Sequence, residues 1–180
     1  LDHYFESKVI SCLVNPRAAD EAAYDLAPSA RRKRVAVVGA GMAGLTAAIE
    51  AARRGHDVTV FEAGSCIGGQ MLLAAEVPGK SDYARAVAAY GAQLAALGVT
   101  VRFVQRVDAS ELLAGGYDAY VVATGAVPRR VDIPGARDPR VISYEAALRD
   151  KSRVGSRVAV IGGGGIGHDV SLALAAGDDD

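Results

Sequence analysis

The sequence predicts an α/β fold with a parallel sheet, and three observations lead to that prediction. Short apolar runs end in glycine-rich turns at two places, a helical pattern follows the first turn, and strand-like and helix-like stretches then alternate along the chain. Strand–helix–strand units of this kind build parallel sheets with right-handed crossovers. The expected architecture is therefore layered, with helices packed on a parallel sheet.

Composition limits the classes of partner. The chain has 180 residues, 51% of them hydrophobic, and can bury a core. Its formal net charge of −1 predicts no nucleic acid and no membrane as partner. The basic run Arg31–Arg34 leads into an apolar strand, which favours a solvated strand entrance. No apolar stretch approaches the roughly 18 residues of a membrane span, and the start lacks a signal-peptide layout, so we expect a cytoplasmic protein.

Residues 34–62 predict one strand–helix–strand unit. Val35–Val38 is an apolar run too short for a helix, which indicates a buried strand. Apolar residues then recur at spacings of three and four, as one helix face requires: Met42, Leu45, Ile49 and Ala52. Gly55 supplies a helix stop, and Asp57–Phe61 predicts the second strand.

Three glycines stand between the first strand and the helix in a G-x-G-x-x-G pattern. Gly39 permits the tight turn, Gly41 lets the backbone approach a pyrophosphate, and Gly44 lets the helix pack closely on the strand. The pattern alone is weak evidence, because glycine turns are common. With a strand before it and a helix after it, the pattern favours a dinucleotide site.

The start of this helix offers a place for an anion. Free N–H groups in its first turn, where Met42 and Ala43 lie, would bind a pyrophosphate, and the helix dipole favours negative charge there. Glu62 ends the second strand, about 20 residues on. It can accept hydrogen bonds from both hydroxyls of an adenosine ribose and would repel a 2′-phosphate.

The next stretch keeps the alternation of elements. Ser81 can cap a helix with an apolar face, and Val99–Val104 has strand character. That helix face consists of Val87, Tyr90, Leu94 and Leu97. Two turns in this region are consistent with ordinary loops or with nucleotide contacts: Gly69 with Gln70, and Ala123 with Thr124 and Gly125.

A second copy of the pattern follows. The predicted strand Arg157–Ile161 runs into Gly162, Gly164 and Gly167, which again occupy the G-x-G-x-x-G positions before a helix. Two such motifs in one chain predict two dinucleotides bound in tandem, one of which passes a hydride to the other.

Together these motifs resemble a known group. The segments VAVVGAGMAGL, FEA-x-x-x-I-G-G-Q, ATG and VAVIGGGGIG are similar to the Rossmann-like, two-dinucleotide-binding flavoproteins, in which FAD occupies the first site and NAD(P)H the second. More narrowly, SCLVNPRA, PGK, IPG and VISYEAALRDK resemble the C-terminal half of bacterial 2,4-dienoyl-CoA reductase, a relative of enoate reductases and trimethylamine dehydrogenase. The resemblance runs through essentially the whole chain.

The resemblance implies a chain of electron carriers. A separate (β/α)8 barrel would hold FMN, and electrons would pass from NAD(P)H to FAD, then through a [4Fe-4S] cluster to FMN and an enoyl or dienoyl thioester. Cys12 matches the fourth cysteine ligand of that cluster, and the other three ligands have no counterpart in this sequence. The implied partners are thus the FMN barrel and cluster cysteines of the same polypeptide. No catalytic residue is assigned, and we expect the fragment alone to be inactive toward the enoyl substrate.

The resemblance also implies a truncated domain organisation. Residues 1–30 are expected to form a cluster-proximal arm, 31–125 the N-terminal part of a FAD-binding domain, and 126–180 a linker and the start of an NAD(P)H-binding domain. The alternatives are an amine dehydrogenase or N-demethylase relative with ADP or FAD in the first site, and a non-catalytic nucleotide-binding module.

Overall fold

The computed structural model describes residues 5–12, 14–24, 27–129 and 131–176. Four β-strands lie within the described residues: β1 (Arg34–Val38), β2 (Asp57–Phe61), β3 (Thr100–Arg102) and β4 (Ala119–Val122). Six α-helices lie wholly within them: α1 (Met42–Arg53), α2 (Gln70–Ala75), α3 (Asp82–Ala96), α4 (Ala109–Ala114), α5 (Tyr144–Arg149) and α6 (Gly165–Ala175). None of the helices described is both long and apolar enough to cross a lipid bilayer.

The four strands form one parallel sheet in the order β3-β2-β1-β4. In the central strand β1, Val35 pairs with Val58 of β2 on one side and with Ala119 of β4 on the other. The α/β prediction with a parallel sheet is therefore confirmed. Strands β2 and β3 extend the sheet on one side of β1 and β4 on the other, so the chain reverses its winding direction at β1. The carboxyl ends of β1 and β4 therefore flank the place where such sheets commonly bind ligands.

One face of the sheet is buried under α1 and α3. Val37, Val60 and Leu45 are completely buried, and Tyr90 and Leu94 of α3 pack into the same core. Each fully buried side chain of this kind contributes about 1.5–3 kcal/mol relative to exposure. The apolar spacing predicted for both helices is thus the reason that they lie on this sheet.

The chain divides into two compact units. The first comprises the residues up to Gly69 together with Ala86–Thr124, and contains the sheet. The second comprises Gln70–Arg85 and the residues from Gly125 on. In the second unit, α2, α5 and α6 meet around a small apolar cluster of buried residues: Leu73, Leu148, Val170 and Ala173. Lys80 Nζ lies 2.6 Å from Asp169 Oδ2 of α6.

Helix α4 begins at a capping box. The Asp108 carboxylate accepts a hydrogen bond from the Glu111 N–H, and the Glu111 side chain accepts one from the Asp108 N–H. The Ser110 hydroxyl also donates to Asp108 Oδ1 at 2.6 Å. The hydrogen bond from Ser110, and then that from the Glu111 backbone, lower the pKa of Asp108.

Two predicted elements, strand β3 and the helix before it, were longer than those in the structure. Strand β3 covers only Thr100–Arg102, not Val99–Val104, because the backbone of Val104 turns into the left-handed region with φ of 53°. Helix α3 ends at Ala96, and Leu97 is 37% exposed rather than part of the buried face. In both cases the apolar residues continue past the end of the element, and the chain already turns there.

The predicted strand Arg157–Ile161 is not a strand in the structure. The segment has no strand assignment, and Val158 and Ile161 are more than half exposed. A strand exists only when its backbone N–H and C=O groups pair with a neighbour. No strand of the described residues pairs with this segment, so an apolar pattern alone was insufficient.

Candidate functional site

The first glycine turn (Gly39–Gly44) lies between β1 and α1. Gly39 has φ of 103°, and its N–H donates to the Phe61 carbonyl at 2.8 Å. A Cβ at Gly39 would lie 2.9 Å from the carbonyl carbon of Ala123 and 3.3 Å from Thr124 Cα. Both the left-handed backbone and the neighbouring β4 end therefore require glycine here.

Gly44 and Gly41 serve different purposes in this turn. A Cβ at Gly44 would overlap the carbonyl group of Gly39, with 3.1 Å to its carbon, so glycine allows α1 to pack directly on the turn. At Gly41, by contrast, no atom lies within 4 Å of a built Cβ. Gly41 is the N-cap of α1 and provides no side-chain cap.

The space beside Gly41 fits a pyrophosphate group. The first N–H groups of α1, including those of Met42 and Ala43, have no intrahelical acceptor by helix geometry. An anion beside Gly41 would accept from them and would be stabilised by the helix dipole. The tight turn predicted at Gly39 and the close packing predicted at Gly44 are present in the structure. The role of Gly41 beside a pyrophosphate stays a prediction.

Glu62 bridges two loops at the end of β2. Its Oε2 accepts a hydrogen bond from the Ala40 N–H at 2.7 Å, and its Oε1 accepts one from the Gly64 N–H at 2.6 Å. The sequence predicted only ribose binding for this carboxylate. Each carboxylate oxygen has a second acceptor site, so ribose hydroxyls can be bound while the loop contacts remain.

A second glycine pair rests against the first turn. The Gly68 N–H donates to the Ala40 carbonyl at 2.8 Å, and a Cβ at Gly69 would lie 3.2 Å from Gly41 Cα. Both glycines have positive φ, 109° and 54°. Gly68 and Ala40 were missed as site residues, although two successive glycines at a predicted turn are a signal for this backbone conformation.

The remaining predicted nucleotide contacts are loop residues. The Ala123 N–H donates to the Val38 carbonyl at 2.8 Å, which places the β4 end beside the first glycine turn. Gly125 follows with φ of 74°. The Gln70 amide Nε2 donates to the Ala126 carbonyl at 2.7 Å. Gln70 thus holds the backbone just beyond Thr124 and Gly125, a contact between residues far apart in sequence.

The second glycine turn (Gly162–Gly167) repeats the turn-to-helix contact of the first, although no atom lies within 4 Å of a Cβ placed at Gly162. Gly162 has φ of 120°, and a Cβ at Gly167 would overlap the Gly162 carbonyl group, with 3.0 Å to its carbon. Gly164 is the N-cap of α6, and no atom lies within 4 Å of its built Cβ. Open space beside Gly164 leaves room for an anionic group at this helix N-terminus, as it does beside Gly41.

The two cysteines show no metal site within the described residues. Cys12 and Cys66 are both exposed thiols, and no group of three or more His, Cys, Asp or Glu side chains is placed to hold a metal ion in that part of the chain. The role of Cys12 as one of four cluster ligands stays a prediction.

Comparison with known proteins identifies the family. Residues 33–179 match the model of the pyridine nucleotide-disulphide oxidoreductase family. A metal reductase from Desulforamulus reducens is 36% identical over 179 residues, which cover 97% of this chain and 27% of that protein. A cinnamate reductase from Clostridium sporogenes is 36% identical over 165 residues, which cover 92% of this chain and 24% of that protein.

A solved structure extends the match to the fold. The complex of 2-naphthoyl-CoA reductase with 2-naphthoyl-CoA superposes with a TM-score of 0.89 at 35% identity, covering 96% of this chain and 26% of that one. The chain spans about a quarter of the length of these relatives. The resemblance to flavoproteins of the 2,4-dienoyl-CoA reductase type is confirmed. The chain therefore belongs to the pyridine nucleotide-disulphide oxidoreductase family, as a FAD- and NAD(P)H-binding oxidoreductase module.

Proposed function

We propose that this chain is the electron-transfer segment of a multi-cofactor flavoprotein reductase that resembles 2,4-dienoyl-CoA reductase. The observation that carries the proposal is that two glycine turns in one chain each pack closely against the start of a helix, with a positive φ at the first glycine. In this proposal FAD binds at the first turn and NAD(P)H at the second. A bound FAD would supply the chemistry of accepting a hydride and donating electrons one at a time.

The residues of the first turn bind and orient. The Gly41 backbone admits the pyrophosphate, the N–H groups of Met42 and Ala43 donate to it, and Glu62 accepts the ribose hydroxyls. Glu62 already accepts a hydrogen bond from the Ala40 N–H at 2.7 Å, so the same carboxylate would hold both the ribose and the glycine turn. At the second turn, Gly164 admits the pyrophosphate of the nicotinamide cofactor in the same way.

The relatives support an electron-supplying role rather than a substrate-binding one. By name, a metal reductase, a cinnamate reductase and a 2-naphthoyl-CoA reductase act on very different acceptors, yet each matches over 92% or more of this chain. We infer that a module shared by such reductases does not select the acceptor. We infer that the remaining parts of the polypeptide hold FMN, the [4Fe-4S] cluster and an enoyl or dienoyl thioester, and that Cys12 supplies one cluster ligand.

Flavin and iron analysis of the complete gene product tests this proposal. We expect FAD, FMN and about four irons per chain, with FAD reduced by NAD(P)H in stopped-flow measurements. Gly41→Ala should lower FAD content while leaving NAD(P)H binding unchanged, and Gly164→Ala should do the reverse, because each new Cβ fills the space beside one turn only.

Other results would select an alternative. ADP extracted in place of FAD would favour the amine dehydrogenase type. Bound FAD that NAD(P)H does not reduce would favour a non-catalytic nucleotide-binding module. Turnover of a dienoyl thioester by these 180 residues alone would contradict the proposed division of labour.

A further inference from the structure

The segment Asn15–Arg17 forms a turn whose geometry is fixed by its own residues. The Asn15 side-chain Oδ1 accepts a hydrogen bond from the Arg17 N–H at 3.1 Å, and the Asn15 carbonyl accepts one from the Ala18 N–H at 3.1 Å. Pro16 restricts the backbone between them to φ near about −65°. The turn therefore presents the Arg17 side chain in a defined direction.

Arg17 forms a two-point ion pair with helix α1. Its Nε donates to Glu50 Oε1 at 3.1 Å and its Nη2 donates to Glu50 Oε2 at 2.5 Å. The two side chains are only 27% and 23% exposed. Paired hydrogen bonds between a guanidinium and a carboxylate fix direction as well as distance, which a lysine could not do. Arg53, one helical turn beyond Glu50, also donates to Oε1 at 3.0 Å.

Glu50 connects this turn to the first dinucleotide site through a rigid element. It lies on α1, and the N-terminus of the same helix is the Gly41 cap. A helix keeps the spacing between its residues at about 1.5 Å per residue. A residue held by Glu50 therefore stays at a fixed distance from the space beside Gly41.

We propose that Arg17 is a positioning residue, which holds the turn that follows Cys12 against α1 and so keeps Cys12 within reach of the first dinucleotide site. Cys12 precedes Arg17 by five residues, so the anchor limits its travel to about 17 Å even for an extended chain. The consequence for electron transfer rests on the proposed function, since it needs FAD at the first turn and a cluster ligand at Cys12.

Hydrogen exchange measured on this chain tests the anchor. Arg17→Met and Glu50→Gln should each speed exchange in peptides from residues 14–24 about five- to tenfold, because a partly buried, charge-assisted pair is lost. Combining the two should add little further increase, since each alone already breaks the Arg17–Glu50 pair. Arg17→Lys should fall between wild type and Arg17→Met. The matched control is Arg53→Met, which removes the other partner of Glu50 and should leave these peptides unchanged.

Exchange that is unchanged in Arg17→Met, or that rises additively in the double variant, would overturn the anchor. If peptides from β1 also exchange faster in Arg17→Met, the substitution has disturbed the fold as well as the anchor, and the Arg17→Lys variant is then compared with it. Equal exchange rates for residues 14–24 in the two variants would refute a two-point pair. These measurements need no flavin or iron, so loss of the proposed function would not alter them. In the complete gene product, Arg17→Met should slow cluster reduction severalfold at unchanged iron content, flavin content and flavin reduction by NAD(P)H; an unchanged cluster rate would refute the positioning role.

Discussion

Replacing Gly44 by alanine tests whether the close approach of α1 to its preceding turn is essential for the fold. The new Cβ would overlap the Gly39 carbonyl and lie 3.4 Å from Ala123 Cβ. Gly91 offers a matched control, because it is also helical but its new Cβ would meet only the tip of the Ile67 side chain, at 3.1 Å from Cδ1. A side-chain tip can rotate away, whereas the Gly39 backbone is held by β1.

Both substitutions gain helix propensity, and they differ in the free energy that the new Cβ costs through its close contacts. Alanine in place of glycine inside a helix gains about 1 kcal/mol in both. At Gly44 the forced backbone shift costs roughly 2–3 kcal/mol, the upper range for overpacking, which leaves a net loss of about 1–2 kcal/mol. At Gly91 rotation of Ile67 costs little, so the net effect is a gain of about 0.5–1 kcal/mol. The two variants should therefore differ by about 1.5–3 kcal/mol in free energy of unfolding.

Urea unfolding followed by circular dichroism measures this difference, since the chain has no Trp to report by fluorescence. In thermal unfolding, a chain of this size should show midpoint temperatures that differ by about 3–12 °C between the two variants. Equal stability of the Gly44→Ala and Gly91→Ala variants would show that the turn yields without cost. It would refute the assignment of Gly44 as the close-packing glycine.

Three further perturbations have defined outcomes. Glu62→Gln should lower the free energy of unfolding by about 1–3 kcal/mol in urea titrations, because an amide NH2 would face a backbone N–H donor; no loss would mean that the bridging contacts are dispensable. Lys80→Met should lower the free energy of unfolding by about 0.5–1 kcal/mol, because it removes the ion pair with α6. Arg85→Met should leave the free energy of unfolding almost unchanged, because the Arg85 side chain is 85% exposed in its ion pair. Equal losses in the two variants would contradict the link to α6. The Ser110 hydrogen bond and the cap lower the pKa of Asp108, so its stabilisation is complete above the usual aspartate pKa and is lost as pH falls through the lower folded value. Unfolding measured from about pH 5 to 2 should show a shallower acid limb for Asp108→Asn than for wild type; identical limbs would contradict this.

Local patterns predicted the strand–turn–helix geometry at Gly39–Gly44 well. The spacing of Gly39, Gly41 and Gly44 depends on backbone conformation and on contacts within one strand–turn–helix unit, and such contacts leave a periodic trace in the sequence. Glu62 was predicted at the end of β2 for the same reason. Its hydrogen bonds to two backbone N–H groups were not predicted, since they depend on how loops from two elements meet.

Non-local contacts explain what was missed. The pairing of Arg17 with Glu50 joins residues 33 positions apart, and neither residue is unusual in its own segment. Arg157–Ile161 shows the converse. Its apolar run is as long as that of β1, but a strand also needs a neighbouring strand, which the pattern cannot supply. The end of β3 was overestimated because apolar composition continued into Val104, where the backbone turns.

The exposed segment at 157–161 has a practical consequence for handling this chain. It is apolar, contains no proline and carries a single charge, at Arg157. Extended backbones of this composition with unpaired hydrogen-bonding groups readily add a strand from another molecule. We therefore expect the isolated chain to self-associate as its concentration rises, through edge-to-edge pairing of RVAVI rather than through the buried sheet.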